Sequence, residues 1–305
     1  MTISSTNSVV FLMGPTASGK TELALEMYNQ LDASLISVDS ALIYRGMDIG
    51  TAKPSKVTLE NYPHALIDIC EPDESFSVNQ FVSLAKQHIE SALNAGKLPI
   101  LVGGTSFYFN ALEHGLSKLP ESTKDSRKYF NDRLKNQGSE KLHSQLLKID
   151  PTSATRIHPN DSQRVTRALE VFHLSGVTLS ELQGNKNGNK LNHEIKKIIL
   201  MPERSELHQR IEKRFIEMIK DGFLDEVEAL RKNKNLNLDL ASMRCVGYRQ
   251  AWNYFDGLYS KQEMIEKAIV ATRQLCKRQS TWLRNESNAL ILKETNIDKA
   301  INFLQ

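Results

Sequence analysis

Gly14-Pro15-Thr16-Ala17-Ser18-Gly19-Lys20-Thr21 has the spacing G-x-x-x-x-G-K-[ST]. Such a loop is built for polyphosphate. Its glycines let the backbone curl until N–H groups point inward, the helix N-terminus that follows adds positive potential, and Lys20 adds a full charge. The Thr21 hydroxyl can sit on a magnesium ion. These residues define a ligand and not yet a reaction, because kinases, NTPases and transferases with diphosphate leaving groups all need the same cradle. No four-residue apolar run ends in an Asp that would make the second magnesium site of an NTPase. The run Leu98–Val102 ends in Gly103-Gly104-Thr105 instead, and the neighbours of Asp68 leave its direction open. A motor or switch ATPase is thereby disfavoured.

The elements that must carry this loop are legible from period and composition. Ser8–Met13 is a short apolar run of the kind buried on both faces of a sheet, and Lys20–Leu31 follows with helical spacing. Ser34–Val38, Ala65–Cys70, Leu98–Val102 and Glu194–Leu200 read as further strands, and Val78–Leu93 as a helix. Alternation of this kind predicts an α/β fold, a P-loop-containing core with a parallel sheet and crossover helices. Between Glu113 and His193 no strand is evident, and Gln183–Asn192 reads as a mobile polar loop. From Ser205 onward the chain reads as mostly helical. The expected organisation is a catalytic core over 1–115 and 194–305, interrupted by a helical insertion over 116–193.

In an open parallel sheet, ligands bind outside the carboxyl ends of the strands. Asp39-Ser40-Ala41-Leu42 follows the second strand and so lies on the rim of the phosphate loop. A carboxylate there serves as a general base, a magnesium ligand or the N-cap of the next helix. Thr105 ends the fourth strand on the same rim, as a substrate contact or a helix cap.

The net charge of +3 hides a local concentration: Arg244–Arg284 holds eight Lys/Arg and three acids. On one helix at about 100° per residue, Ile265, Ala268, Thr272, Leu275, Gln279, Trp282 and Leu283 share a mainly apolar sector. That pattern places Trp282 in the core. Arg273, Lys277 and Arg284 fall opposite, as a phosphate track for nucleic acid or a solvated face. The pairs Arg164/Arg167 and Arg210/Arg214 sit at helical spacing, where each could bind phosphate or form surface ion pairs, the commoner outcome.

Composition excludes other classes. No apolar run approaches the length of a bilayer, the three cysteines form no disulfide framework, and the histidines show no zinc spacing. A reducing cytoplasm fits.

In order along the chain, Gly14–Thr21, the stretch from Ile36 to Pro54, Leu101–Thr105, His158–Asp161, Arg244–Arg249 and Lys277–Arg284 resemble the bacterial tRNA dimethylallyltransferase (tRNA isopentenyltransferase) family over nearly the whole chain. The resemblance implies transfer of a five-carbon allylic group from dimethylallyl diphosphate to the exocyclic amine of the adenosine 3′ of the anticodon, with Mg²⁺ as cofactor. It implies that Asp39 is the general base, that Thr105 and Arg127 contact substrate, and that Arg214 helps hold the diphosphate. It assigns tRNA contact to Asp39, Ser40, Ala41, Leu42, Thr105 and Arg127. The same role falls to Gln163, Arg164, Val165, Thr166 and Arg167, and to Arg244, Cys245, Val246, Gly247, Tyr248 and Arg249. Lys277, Arg278, Gln279, Ser280, Thr281, Trp282, Leu283 and Arg284 complete the set. The insertion then grips the anticodon stem-loop, and a partner of that size requires no dimer. Two other classes share parts of the pattern: a small-molecule kinase, which would use ATP and ignore tRNA, and an RNA-binding protein with a vestigial loop.

Overall fold

The computed structural model describes residues 7–184 and 190–305. Its Cα trace divides into two compact units, 1–113 with 192–305, and 114–191. The elements of the first unit are β1 (Ser8–Met13), α1 (Lys20–Gln30), β2 (Ala33–Val38), α2 (Lys56–Asn61), β3 (His64–Ala65), α3 (Val78–Asn94), β4 (Leu98–Gly103) and α4 (Ser106–His114). The second unit holds α5 (Lys124–Gln137), α6 (Ser139–Ile149), α7 (Pro151–Arg156), α8 (Ser162–Ser175) and α9 (Leu179–Gly184). The first then resumes with β5 (Glu194–Leu200), α10 (Arg204–Lys220), α11 (Phe223–Arg231), α12 (Tyr248–Phe255), α13 (Lys261–Leu283), β6 (Ala289–Leu292) and α14 (Ile297–Leu304).

The six strands form one parallel sheet in the order β3-β2-β4-β1-β5-β6. Alternation along β1 sorts its side chains to the two faces. Val10 and Leu12 pack with Leu23, Ala24 and Met27 of α1 and with Ala300 and Leu304 of α14. Phe11 points the other way and meets the ring of Phe109 on α4 at 5.0 Å. Met13 of β1 lies in register with Gly103 of β4, and Val38 of β2 with the same Gly103. The loops that follow these three strands therefore leave the sheet at one level.

Two sequence expectations need correction. The strand expected over Ala65–Cys70 pairs with β2 only through His64 and Ala65. Leu66 (φ 66°) and Asp68 (φ 55°) then enter the left-handed region, which breaks the pleat. The backbone of Ile69 and Cys70 instead donates to the carbonyl of Ile43. The Asp68 carboxylate turns to Lys53 at 2.5 Å. A sixth strand, β6, was missed: four residues on the edge of the sheet carry too short an alternation to stand out beside a long helix. Of the polar loop expected over Gln183–Asn192, residues 185–189 lie outside the described residues, and Gln183 and Gly184 end α9.

The stretch from Asp39 to Pro54 has almost no regular structure, yet it is pinned. Ile43, Tyr44 and Met47 are buried in a cluster with Leu207, Ile211 and Phe215 of α10, Phe223 and Val227 of α11, Tyr248 of α12, and Met264 and Ala268 of α13. Lys53 is buried and donates to the Tyr44 carbonyl (2.7 Å), Asp48 (2.6 Å) and Asp68 (2.5 Å). Glu226 of α11 accepts the backbone N–H groups of Asp48, Ile49 and Gly50 at 2.8, 2.8 and 3.1 Å, and the Tyr248 hydroxyl at 2.6 Å. Gly50 is required here, because a Cβ would lie 2.3 Å from the Phe223 ring. Removing the acceptor of four donors leaves partly buried groups unpaired. Glu226→Ala is expected to lower the unfolding free energy by about 2–4 kcal/mol, and Tyr248→Phe by only about 1 kcal/mol. Urea unfolding of the two variants checks both values; equal costs would show that Tyr248 alone matters.

Candidate active site

The phosphate loop bridges β1 and α1. Gly19, with φ 95°, precedes the first turn of α1, and Ala17, with φ 64°, makes the bend before it. The N–H groups of a first helical turn have no intrahelical acceptor. Those of Gly19, Lys20 and Thr21 have no hydrogen-bond partner among the described residues, and the same residues line a cleft of about 330 Å³. Its walls are Ala17–Glu22, Arg210 and Arg214. Gly14 keeps the loop closed, since a Cβ there would lie 2.6 Å from the Ser18 hydroxyl and 2.8 Å from the Leu200 carbonyl.

Not every loop N–H faces the cleft. That of Thr16 donates to Gln279 Oε1 at 2.9 Å, while Gln279 Nε2 donates to the Gly104 carbonyl at 2.9 Å. Arg214 donates to the Thr16 hydroxyl, and Arg210 to the Ser18 carbonyl at 3.1 Å. Both arginines project from one face of α10, as their four-residue spacing requires.

Asp39 follows β2 on the same rim. Its Oδ1 accepts the N–H of Ala41 (2.8 Å) and Leu42 (3.4 Å), which makes a turn and not a helix cap. Among the described residues no hydrogen bond reaches its Oδ2. Thr105 accepts the Ser40 N–H at 3.1 Å and donates its own N–H to Val38, so it locks the two rim loops together. Burial lowers the pKa of Lys20 to about 8, with Asp39 opposing and Arg214 adding to the fall. Burial likewise lowers that of Arg214, again opposed by Asp39. The Tyr108 hydroxyl and the Cys245 thiol are both pushed up to about 12, by burial first and then by Asp39. One carboxylate thus faces two desolvated cations, and the neighbouring phenol and thiol stay neutral.

The structure therefore brings Gly14–Thr21, Asp39, Thr105 and Arg214 to one rim. It adds Arg210, which the sequence offers with Arg214 as a helical pair and which α10 carries past the loop. Several expected tRNA contacts need correction. The side chains of Val165, Tyr248, Ser280 and Leu283 are buried and pack the core. Gly247 is buried as well. Trp282, expected in the core, is 43 % exposed. The buried face of α13 runs instead through Met264, Ala268, Ile269, Cys276, Ser280 and Leu283, which leaves Trp282 at its edge. Arg273 is not part of a free stripe: it pairs with Glu212 at 2.6 Å. Lys277, Arg278, Thr281 and Arg284 are exposed, as are Ser40, Arg244 and Arg249. In the second unit Arg127, Gln163 and Arg164 are exposed, whereas Arg167 turns inward to Glu170 (2.7 Å), Ser122 and the Pro120 carbonyl. Ala41, Leu42, Cys245, Val246 and Thr166 are partly exposed.

A family model described as IPP transferase matches residues 42–286. The chain belongs to the IPP transferase family. It is 61 % identical over 304 residues to the tRNA dimethylallyltransferase of Ruthia magnifica subsp. Calyptogena magnifica, covering 100 % of this chain and 99 % of that one. The fold is similar to the crystal structure of the tRNA isopentenylpyrophosphate transferase of Bacillus halodurans, with a TM-score of 0.70, 36 % identity, and 97 % and 93 % of the two chains covered. It is also similar to a eukaryotic dimethylallyltransferase acting on tRNA, with a TM-score of 0.75, 26 % identity, and 91 % and 70 % covered. The family match begins after Asp39, so it owes nothing to the phosphate loop, which the full-length relatives cover.

The depressed Lys20 pKa gives a pH test. A diphosphate in this cleft would need the charged ammonium, and that charge is lost as pH rises through about 8 in the free protein. Affinity for inorganic pyrophosphate is expected to be steady below that pH relative to a Lys20→Arg variant, and to fall by about tenfold per pH unit above it. Calorimetric titration of both proteins across this range measures it; parallel profiles would place the break elsewhere.

Proposed function

We propose that this protein transfers a dimethylallyl group from dimethylallyl diphosphate to the N6 amine of the adenosine 3′-adjacent to the anticodon of a tRNA, releasing diphosphate. The observation that carries this reading is the single rim on which an N–H-lined phosphate cradle faces a carboxylate with a free oxygen. Full-length relatives at 61 % and 60 % identity are named tRNA dimethylallyltransferases, which favours it over a small-molecule kinase.

An adenine amine is a weak nucleophile because its lone pair is delocalised into the ring. As N6 bonds to C1 of the allylic group and the C1–O bond breaks, one N6 proton must leave. Asp39 Oδ2 is the acceptor for it, while Oδ1 is held by Ala41 and Leu42. The electron pair of the C1–O bond goes to the diphosphate. Lys20, Arg214 and the N–H groups at the start of α1 stabilise that developing charge, and desolvation strengthens each interaction. The adenine has to leave its stack to reach the rim.

The donor set suits magnesium. The Thr21 hydroxyl is exposed beside the cleft, and among the described residues no cluster of three His, Cys, Asp or Glu competes for a metal. One protein hydroxyl with diphosphate oxygens and water is the kind of set Mg²⁺ accepts. When bound, Mg²⁺ neutralises charge on the leaving diphosphate.

The exposed Lys277, Arg278 and Arg284 are the phosphate track for the RNA backbone, and within the second unit the exposed Arg127 and Arg164 are RNA contacts of their own. Among the described residues no helix is long and apolar enough to cross a membrane.

Incubation with labelled dimethylallyl diphosphate and bulk unmodified tRNA, followed by nucleoside analysis, tests the reading directly; unlabelled tRNA together with tight ATP binding and phosphate transfer to a metabolite would favour the kinase. Asp39→Asn keeps the shape and removes the base. Turnover is expected to fall by about 10²–10⁴, with RNA affinity nearly unchanged. Turnover within threefold of the parent would dismiss Asp39 as the base. Replacing Lys277, Arg278 and Arg284 together by Gln is expected to weaken tRNA binding and to flatten its salt dependence by about 0.7–0.9 slope unit per lost contact. Affinities measured at several salt concentrations decide it, and an unchanged slope would make the track a solvated face.

A further inference from the structure

Gln279 sits within a helical segment whose resemblance assigns it to RNA, yet its side chain faces the other way. The amide spans two loops that follow neighbouring strands: Oε1 accepts the Thr16 N–H and Nε2 donates to the Gly104 carbonyl, each at 2.9 Å. These two loops carry the two halves of the reaction. Thr16 belongs to the phosphate cradle and its hydroxyl takes Arg214. Gly104 precedes Thr105, whose hydroxyl accepts the Ser40 N–H beside Asp39. Hydrogen bonds, joined through Thr16 itself and through the Gly104–Thr105 peptide link, therefore connect Arg214 by way of Gln279 to the Asp39 turn.

The fold makes room for this bridge. A Cβ on Gly104 would lie 2.5 Å from Gln279 Nε2 and 3.3 Å from the Gly14 carbonyl. The two partners also demand opposite chemistry, one an N–H and the other a C=O. At neutral pH, where a carboxyl is ionised, only a side-chain amide offers an acceptor and a donor side by side in one plane. Glutamate would meet Thr16 but set an oxygen against the Gly104 carbonyl, asparagine is one methylene too short, and methionine fills the space with neither group.

We propose that Gln279 is a positioning residue: it fixes the separation between the leaving-group cradle and the base, and does not contact the RNA. This rests on the transferase reading above. Placement errors near 1 Å cost about a hundredfold in rate, which sets the scale of what such a bridge protects.

The test uses the full chain with Gln279→Met and Gln279→Glu, thermal melts to verify folding, and an unmodified anticodon stem-loop with dimethylallyl diphosphate as substrates. For Gln279→Met, kcat is expected to fall by about 10- to 100-fold while stem-loop Kd stays within twofold. Amide hydrogen exchange at Thr16 is expected to speed up by at least tenfold. For Gln279→Glu, the ratio of its kcat to the parent's is expected to rise as pH falls, because the protonated carboxyl regains a donor for Gly104. A loss of stem-loop affinity with kcat preserved would overturn the proposal in favour of a direct RNA contact. Unchanged Thr16 exchange, or a pH-independent ratio, would overturn it as well. If the parent protein makes no prenylated RNA, the transferase reading fails, and the exchange measurement still judges the bridge itself.

Discussion

Two partly buried cations must share one carboxylate. Lys20 and Arg214 both lose charge stability through burial, and both regain part of it from Asp39. Nothing else on the rim supplies negative charge to them among the described hydrogen bonds; Arg214 donates to a neutral hydroxyl and Lys20 to the Pro15 carbonyl at 3.2 Å. A surplus of positive potential is left beside the cleft at the start of α1. It can persist only because the surrounding chain cannot relax to relieve it, so rigidity at the strand ends is a condition of the site.

That rigidity comes from three sources at different ranges. Parallel register between β1, β4 and β2 sets the level of the loops. Side-chain bridges at Thr105 and Gln279 then tie one loop to the next. Finally, the C-terminal helices bury the irregular stretch after Asp39 beneath Phe223, Tyr248 and their neighbours. Loop sequences that form little secondary structure are thus held as firmly as strands, through ion pairs and capped N–H groups.

The sequence made the phosphate loop, four of the strands and the rim position of Asp39 and Thr105 readable, because each depends on local period or on a rule about strand ends. It was silent or misleading where tertiary partners decide. Leu66 and Asp68 break a strand that β-forming neighbours predict, since the backbone of Ile43 offers a better acceptor. Trp282 shares a helical sector with apolar residues, but the partner helices cover a face rotated away from it. Arg210 and Arg214 have the spacing of an ordinary surface pair, and only the course of α10 past the phosphate loop gives them acceptors there. Gln279 carries one sequence signal, its place in the mainly apolar sector of the helix, which turns it inward without naming its partners.

The hydrogen bond from Asp48 to Glu226 spans 178 residues of chain. A ribosome adding roughly 5–20 residues per second needs about 10–35 s to cover that distance. The phosphate loop waits longer still, since the bond from Thr16 to Gln279 spans 263 residues. Early in synthesis the chain has β1 and α1 but neither the arginines that wall the cleft nor the bridge between the rim loops. Both halves of the rim are therefore completed together, late, by helices from the C-terminal part of the chain.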